Sequence, residues 1–89
     1  MPSPRTALVY ANRFELLIAV MLSAQATDVS VNKVTPEVFR AAPTPEKMLA
    51  LGEPALRELI RRIGLYRTKA ANIIKTCSVL VNQHNSQVP

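Results

Sequence analysis

The chain has 89 residues, of which 48% are hydrophobic and 19% charged, and its formal net charge is +5. This composition excludes a disordered tail and a collagen-like repeat, and the length allows one small domain. The single cysteine excludes an internal disulfide and any metal site built from several cysteines. The longest apolar run, 16–22, is too short to cross a bilayer, and the N-terminus lacks a signal-peptide pattern, so we expect a soluble cytoplasmic protein.

The chain contains two glycines and no stretch that alternates like a strand, which predicts an all-α fold with about five helices. Asn12, followed by Glu15 three residues later, predicts the start of a first helix. That helix is apolar on every side as far as Leu22, which is typical of a buried, central helix. Thr27 predicts the N-cap of a second helix.

Proline and glycine mark the ends of the next elements. Pro36 either kinks the second helix or begins a new one with Thr35 as its cap. The sequence Thr44-Pro45-Glu46 predicts a short third helix to about Leu51, with Gly52 directly after its end.

The last two helices follow the same start and stop signals. Pro54 opens a helix with apolar residues at i, i+3, i+4 and i+7, and Gly64 ends it. Thr68 predicts the cap of a long final helix that ends near His84-Asn85. Both glycines of the chain then lie just past helix ends, where a positive φ costs glycine little.

The positive charge is concentrated in the second half of the chain. Residues 46–89 carry seven lysines and arginines against three acids, whereas residues 1–45 carry four against three. Six cations lie between Arg57 and Lys75, with Glu58 as the only acid among them. This patch favours a polyanion as partner, first of all nucleic acid, although a solvated helix face gives the same pattern.

Two segments between helices contain residues that plain packing does not require. In the first, Ser23–Asp28, Gln25 lies between two alanines, so its amide can project, or it can satisfy carbonyls at the helix end. In the second, Ile63–Lys69, Leu65 lies at the tip of a turn beside cations. An apolar tip of this kind suits a wedge that enters a nucleic-acid stack, but Leu65 can equally pack into the core.

The residues of these segments resemble the endonuclease III family, the helix-hairpin-helix DNA glycosylases with abasic-site lyase activity. The resemblance rests on the run Phe14–Lys33, with its Leu-Ser-Ala-Gln-Ala-Thr-Asp motif, and on Ile-Gly-Leu-Tyr-Arg-Thr-Lys-Ala at 63–70. It continues through Thr44-Pro45, Asn72-Ile73-Ile74 and the terminal Val88-Pro89. Arg13 stands where the family usually carries proline before Phe-Glu-Leu-Leu.

The resemblance implies two helical domains with DNA in the cleft between them and a damaged pyrimidine flipped out of the duplex. It implies that Gln25 fills the emptied space and faces the orphaned base. It also implies that Leu65 wedges the other strand, with Gly64 and Tyr66 as its neighbours at the DNA.

Further roles follow from the same resemblance. Asp28 and Ser23 would lie at the lesion pocket. Alternatively, the carboxylate of Asp28 stabilises its helix by interacting with the helix dipole, and Ser23 is a small buried residue. Arg67 and Lys69 would contact phosphates, and one of the two can instead be solvated.

The family's catalytic groups are absent from this sequence. The resemblance places the nucleophilic lysine of the helix-hairpin-helix, a later aspartate and the four cysteines of a 4Fe–4S cluster beyond Pro89. We therefore expect no catalytic residue, no metal site, no cofactor and no glycosylase or lyase activity in these 89 residues. Cys77 is expected to be a small buried core residue.

Taken together, we expect a loose lead-in over residues 1–11 and a partial helical-barrel domain over 12–89, truncated before the helix-hairpin-helix. The expected partner is duplex DNA with a damaged pyrimidine or an abasic site, at the bacterial nucleoid and not at a membrane. Apolar surface left exposed on the first helix would favour self-association. The alternative is a non-enzymatic basic helical module that binds nucleic acid or a protein partner.

Overall fold

The computed structural model describes residues 10–24 and 26–83. Within these residues the chain forms five α-helices and no strand, which confirms the predicted all-α fold. In chain order the helices are α1 (Arg13–Ser23), α2 (Asp28–Ala41), α3 (Pro45–Leu51), α4 (Glu53–Leu59) and α5 (Tyr66–Gln83).

The first three helices begin where their capping residues predict. The Glu15 amide donates to Oδ1 of Asn12 at 2.9 Å, and the Ser30 amide donates to Oγ1 of Thr27 at 3.1 Å. The Lys47 amide likewise donates to Oγ1 of Thr44 at 3.2 Å. Each cap satisfies an amide that has no partner inside its own helix.

Helix α1 is buried on one side and exposed at Val20. Phe14, Ile18 and Leu22 face the core, but Val20 is 50% exposed. The interpretation of α1 as a buried, central helix is therefore wrong at Val20, whereas the exposed apolar surface expected on this helix is present there. An uninterrupted apolar run does not reveal which face lacks a neighbour.

Helix α2 continues through Pro36 without a break. Thr35 is buried inside the helix instead of capping a new one, so the alternative of a second start at this point is wrong. Pro36 itself is exposed. Proline has no backbone amide hydrogen to donate, and because Pro36 lies on the side of α2 that faces solvent, the helix tolerates this loss there.

The predicted end of α4 and the predicted start of α5 are wrong. Helix α4 ends at Leu59, not at Ile63, and α5 begins at Tyr66, not after Thr68. Residues 60–65, which we call the α4–α5 turn, leave the helix and are closed by a hydrogen bond from the Ile63 amide to the Ile60 carbonyl at 2.9 Å. The predicted end of α5 near residue 84 lies outside the described residues.

The core lies around α5, which packs against α1, α3 and α4, while α1 also packs against α2. The buried stripe of α5 includes Ala70, Ile73, Cys77 and Leu80, as the spacing predicts. Cys77 is fully buried, which confirms its expected role, and burial raises the pKa of its thiol to about 11. No helix among the described residues is both long and apolar enough to span a membrane.

Candidate nucleic-acid interface

The α4–α5 turn presents an apolar side chain to solvent from an unusual backbone conformation. Leu65 is 59% exposed, so the alternative in which it packs into the core is wrong. Its φ is +59°, the left-handed region that a residue with a Cβ adopts at a cost of about 1 kcal/mol or more. Gly64, where the sequence predicts the positive φ, does not carry it, whereas Gly52 does, with φ +87°.

Neighbouring side chains place charge and an aromatic ring beside this exposed leucine. Tyr66 is half-buried against the core, and the Arg67 guanidinium lies 5.6 Å from the centre of its ring. Arg67 is itself exposed, in the first turn of α5. The partial positive charge of a helix N-terminus adds to that of Arg67, so both favour an anion at this point.

The cations of the second half of the chain divide into two groups. Arg57 pairs with Glu53 at 3.6 Å and Arg61 with Glu58 at 3.3 Å, so their charge is partly compensated. Within the described part of residues 46–89, four exposed cations are in no ion pair, namely Lys47, Arg62, Arg67 and Lys75. The last three lie in the α4–α5 turn or on α5 and are the candidates for contact with phosphate.

Lys69 does not belong to that exposed group, although the sequence places it there. Its side chain is only 6% exposed, and Nζ donates to the Leu22 carbonyl at 2.9 Å and also to the Ala24 carbonyl. Burial lowers the pKa of this ammonium below its ordinary value. The lysine thus faces the C-terminal end of α1, and a phosphate cannot reach it in this arrangement.

The α1–α2 joint, by which we mean residues 24, 26 and 27, carries the other predicted site residues at its borders. Ser23 is half-buried and its hydroxyl donates to the Val20 carbonyl at 2.8 Å, while the Ala26 amide donates to the Ser23 carbonyl at 3.0 Å. Asp28 is half-buried in the first turn of α2, where its negative charge interacts favourably with the positive end of the helix dipole. Gln25 lies outside the described residues, so its predicted role stays a prediction.

No arrangement for a metal or an iron–sulfur cluster exists in the described part. No three His, Cys, Asp or Glu side chains within residues 10–24 and 26–83 come close enough to hold a metal ion. A 4Fe–4S cluster is held by cysteine thiolates, and the sequence has one cysteine, which is buried in the core. The residues present therefore do not fit that cofactor.

Sequence reasoning missed two features of this surface, the positive φ of Leu65 and the inward direction of Lys69. With Thr68 as the predicted cap, Lys69 lies in the first turn of the last helix, where a cation opposes the helix dipole, and this was the available signal. It indicated an unfavourable position for a charge, but it could not show which groups lie opposite Lys69.

Comparisons with known proteins agree with this fold. Residues 18–89 match the HhH-GPD superfamily of base excision DNA repair proteins. The chain is 57% identical to endonuclease III of Escherichia coli strain K12 over 88 residues, which is 99% of this chain and 42% of that protein. It therefore spans about two-fifths of the length of the curated relatives it matches.

Two solved structures superpose closely on the chain. One is a trapped covalent intermediate of endonuclease III with DNA, an estranged-adenine complex, with a TM-score of 0.89 and 52% identity. The other is a non-covalent endonuclease III–DNA complex, with a TM-score of 0.88 and 52% identity. Each match covers 92% of this chain and 38% of the solved chain. The chain belongs to the HhH-GPD superfamily of base excision DNA repair proteins.

Proposed function

We propose that this chain is the N-terminal, DNA-probing part of an endonuclease III-like base excision DNA glycosylase and abasic-site lyase. Its substrate is duplex DNA that carries a damaged pyrimidine or an abasic site. The family membership, the close similarity to endonuclease III and the superposition on two of its DNA complexes support this proposal. Such a protein acts on the chromosome, so we place it at the bacterial nucleoid.

The observation that carries the proposal is the conformation of Leu65. An exposed leucine at φ +59° has two energetic costs. Its apolar surface is exposed to water, and its Cβ is in steric conflict with the backbone at this φ. Residues in such conformations are concentrated at functional sites, where the strain holds a side chain ready for its partner. A leucine that enters a DNA stack recovers the burial that it lacks in the free chain.

The cations around Leu65 supply the second part of this function. Arg67 and Arg62 on either side of the tip, with Lys75 farther along α5, would hold phosphates while the leucine separates bases. We keep Gly64 and Tyr66 as neighbours at the DNA, and Ser23 and Asp28 as proposed lesion-pocket residues. Gln25 remains the proposed residue opposite the orphaned base.

We assign no catalytic residue to this chain. Schiff-base chemistry needs a lysine whose amine can be neutral and can reach the substrate. Lys69, the one buried lysine of the described residues, donates to two carbonyls and faces away from the exposed surface. The proposal therefore covers recognition and opening of the duplex, and we place cleavage in residues outside this sequence.

The proposal is tested with a duplex that carries an abasic site next to 2-aminopurine, whose fluorescence rises when it is unstacked. We expect the chain to raise this fluorescence and to bind with a log–log salt slope of about −2 to −3, because each phosphate contact contributes roughly −0.9. Leu65→Ala should abolish the rise and leave affinity for intact duplex within about twofold.

The matched control is Val79→Ala, since Val79 is an exposed apolar residue in the C-terminal third of α5, away from the turn. It should leave both the fluorescence and the affinity unchanged. Binding without salt dependence, or an unchanged fluorescence rise in Leu65→Ala, would contradict the proposal and favour a module that binds a protein partner.

A further inference from the structure

One residue contacts both segments that the proposed function assigns to DNA. The backbone amide of Lys69 donates to the Leu65 carbonyl at 2.9 Å, at the tip of the α4–α5 turn. Its side-chain ammonium donates to the carbonyls of Leu22 and Ala24, at the end of α1. These contacts join positions that are 45 and 47 residues apart in the sequence.

The position of Lys69 is unfavourable for its own helix and favourable for another. It lies in the first turn of α5, where a positive charge opposes the helix dipole, and its ammonium loses most of its contact with water. At the C-terminal end of α1 the same charge has the favourable sign. The geometry therefore serves α1 and the joint after it, and α5 gains nothing from the charge.

Local capping at the C-terminal end of α1 is incomplete, and Lys69 supplies donors there. The helix has no glycine at its C-terminal end, and its C-cap, Ala24, is extended with ψ 119°. The Val20 carbonyl accepts from the Ser23 hydroxyl, and the Ser23 carbonyl accepts from the Ala26 amide. For the carbonyls of Leu22 and Ala24 the side-chain donor comes from α5, so a helix end is capped by a distant residue.

We propose that Lys69 is a positioning residue that fixes the end of α1 against the α4–α5 turn, so that both segments meet the duplex as one rigid unit. This inference rests on the proposed function for its consequence at DNA. The coupling itself is a property of the free protein. It assigns to Lys69 a role through Leu65 and the α1–α2 joint, and no direct contact with phosphate.

The first test measures the coupling without DNA, by amide hydrogen exchange of the full 89-residue chain. In Lys69→Met the ammonium is lost while the length of the side chain is kept. We expect the Ala26 and Ile63 amides, which close the two segments, to exchange at least tenfold faster. The Ile73 amide in the core of α5 should keep its protection, which shows that the fold is retained.

Lys75→Met is the matched control, because Lys75 is an exposed lysine on the same helix and the substitution removes the same charge. It should leave exchange at Ala26 and Ile63 unchanged. Unchanged exchange at both amides in Lys69→Met would overturn the inference. If the Ile73 amide lost its protection in Lys69→Met, Lys69→Gln would replace that variant, because it keeps an uncharged donor. In Lys69→Gln the exchange rates of the Ala26 and Ile63 amides should rise above those of the unmodified chain, but by less than in Lys69→Met. Unchanged exchange rates at both amides in Lys69→Gln would overturn the inference.

The second test separates positioning from phosphate contact. Lys69→Met should reduce the 2-aminopurine signal at least fivefold at saturating protein and leave the salt slope of binding unchanged. Lys75→Met, which removes a proposed phosphate contact, should make the slope shallower by about 0.9. A slope that becomes shallower in Lys69→Met with a full saturated signal would make Lys69 a phosphate contact and overturn the inference.

The two tests also distinguish failure of this inference from failure of the proposed function. If the unmodified chain does not unstack 2-aminopurine, the proposed function fails, whereas the exchange experiment still decides whether Lys69 couples the two segments. If the unmodified chain opens the duplex and Leu65→Ala does not, a normal signal in Lys69→Met refutes the inference alone.

Discussion

The starts of α1, α2 and α3 contrast with the junction between α4 and α5. The first three helices begin at Asn12, Thr27 and Thr44, each with a side chain that accepts a hydrogen bond from an amide three residues later. At the α4–α5 turn, Leu65 has a positive φ and two cations follow in the first turn of α5.

The first three helix starts satisfy the local preferences for capping, whereas the α4–α5 turn violates the local preferences for backbone conformation and charge. A capped helix start lowers the free energy of the fold by itself. The α4–α5 turn is instead maintained by the core below it and by Lys69 beside it. Violations of local preference in otherwise consistent sequences are concentrated at functional sites, and in this chain they occur at Leu65, the residue that we propose to probe DNA.

The largest expected effect tests whether the core maintains the turn. Ile63 is 1% exposed although it lies outside any helix, so Ile63→Ala removes an anchor between the turn and the core. We expect the free energy of unfolding to fall by about 3 kcal/mol, as for other large-to-small changes in a core. Urea unfolding followed by circular dichroism measures it.

Arg62→Ala is the control for that experiment, because Arg62 is the exposed neighbour of Ile63 in the same turn. Its effect should stay within about 0.5 kcal/mol. A loss below about 1 kcal/mol in Ile63→Ala would show that the turn is not maintained by the core, and the contrast with the capped helices would disappear.

An intermediate effect compares an observed cap with one that the sequence predicted and the structure does not show. Thr44→Ala removes the acceptor for the Lys47 amide and should cost about 1 kcal/mol. Thr68→Ala should change the free energy of unfolding by less than about 0.5 kcal/mol, because Thr68 is an exposed residue inside α5. Equal losses in the two variants, measured by the same urea titration, would mean that Thr68 caps a helix after all.

The smallest expected effect measures the strain at the tip of the turn. Leu65→Gly relieves a left-handed conformation that costs about 1–2 kcal/mol, but the added freedom of the unfolded chain offsets about 0.4–1 kcal/mol of that gain. The free energy of unfolding should therefore rise by less than about 1 kcal/mol. Leu65→Ala, which keeps a Cβ, should show no such rise, and a lower stability for Gly than for Ala would argue against strain at this position.

The sequence predicted more of the fold than of the candidate site. Caps, apolar spacing and Gly52 gave the number of helices and the starts of three of them, because these signals act within one or two turns. The sequence did not decide whether α2 continues through Pro36, and it did not indicate which residue of α1 is exposed. Those outcomes depend on which side of a helix has a neighbour.

For the site, resemblance indicated the two segments, but it did not indicate how Lys69 and Leu65 are used. Lys69 reads as a surface cation in the sequence, since its acceptors are carbonyls 45 and 47 residues away. Gly64 reads as the residue with positive φ, since glycine adopts it at the least cost. The structure gives that conformation to Leu65 instead.

The sequence by itself determined an all-α chain with locally capped helices, one buried cysteine and an excess of positive charge. Only the tertiary structure decided which cations face solvent, which leucine is presented at the turn and which lysine caps a distant helix. The physical reason is the range of the interactions along the chain, because capping and apolar periodicity involve residues that are close in sequence. Burial and the pairing of charges depend on groups that only the folded chain brings together.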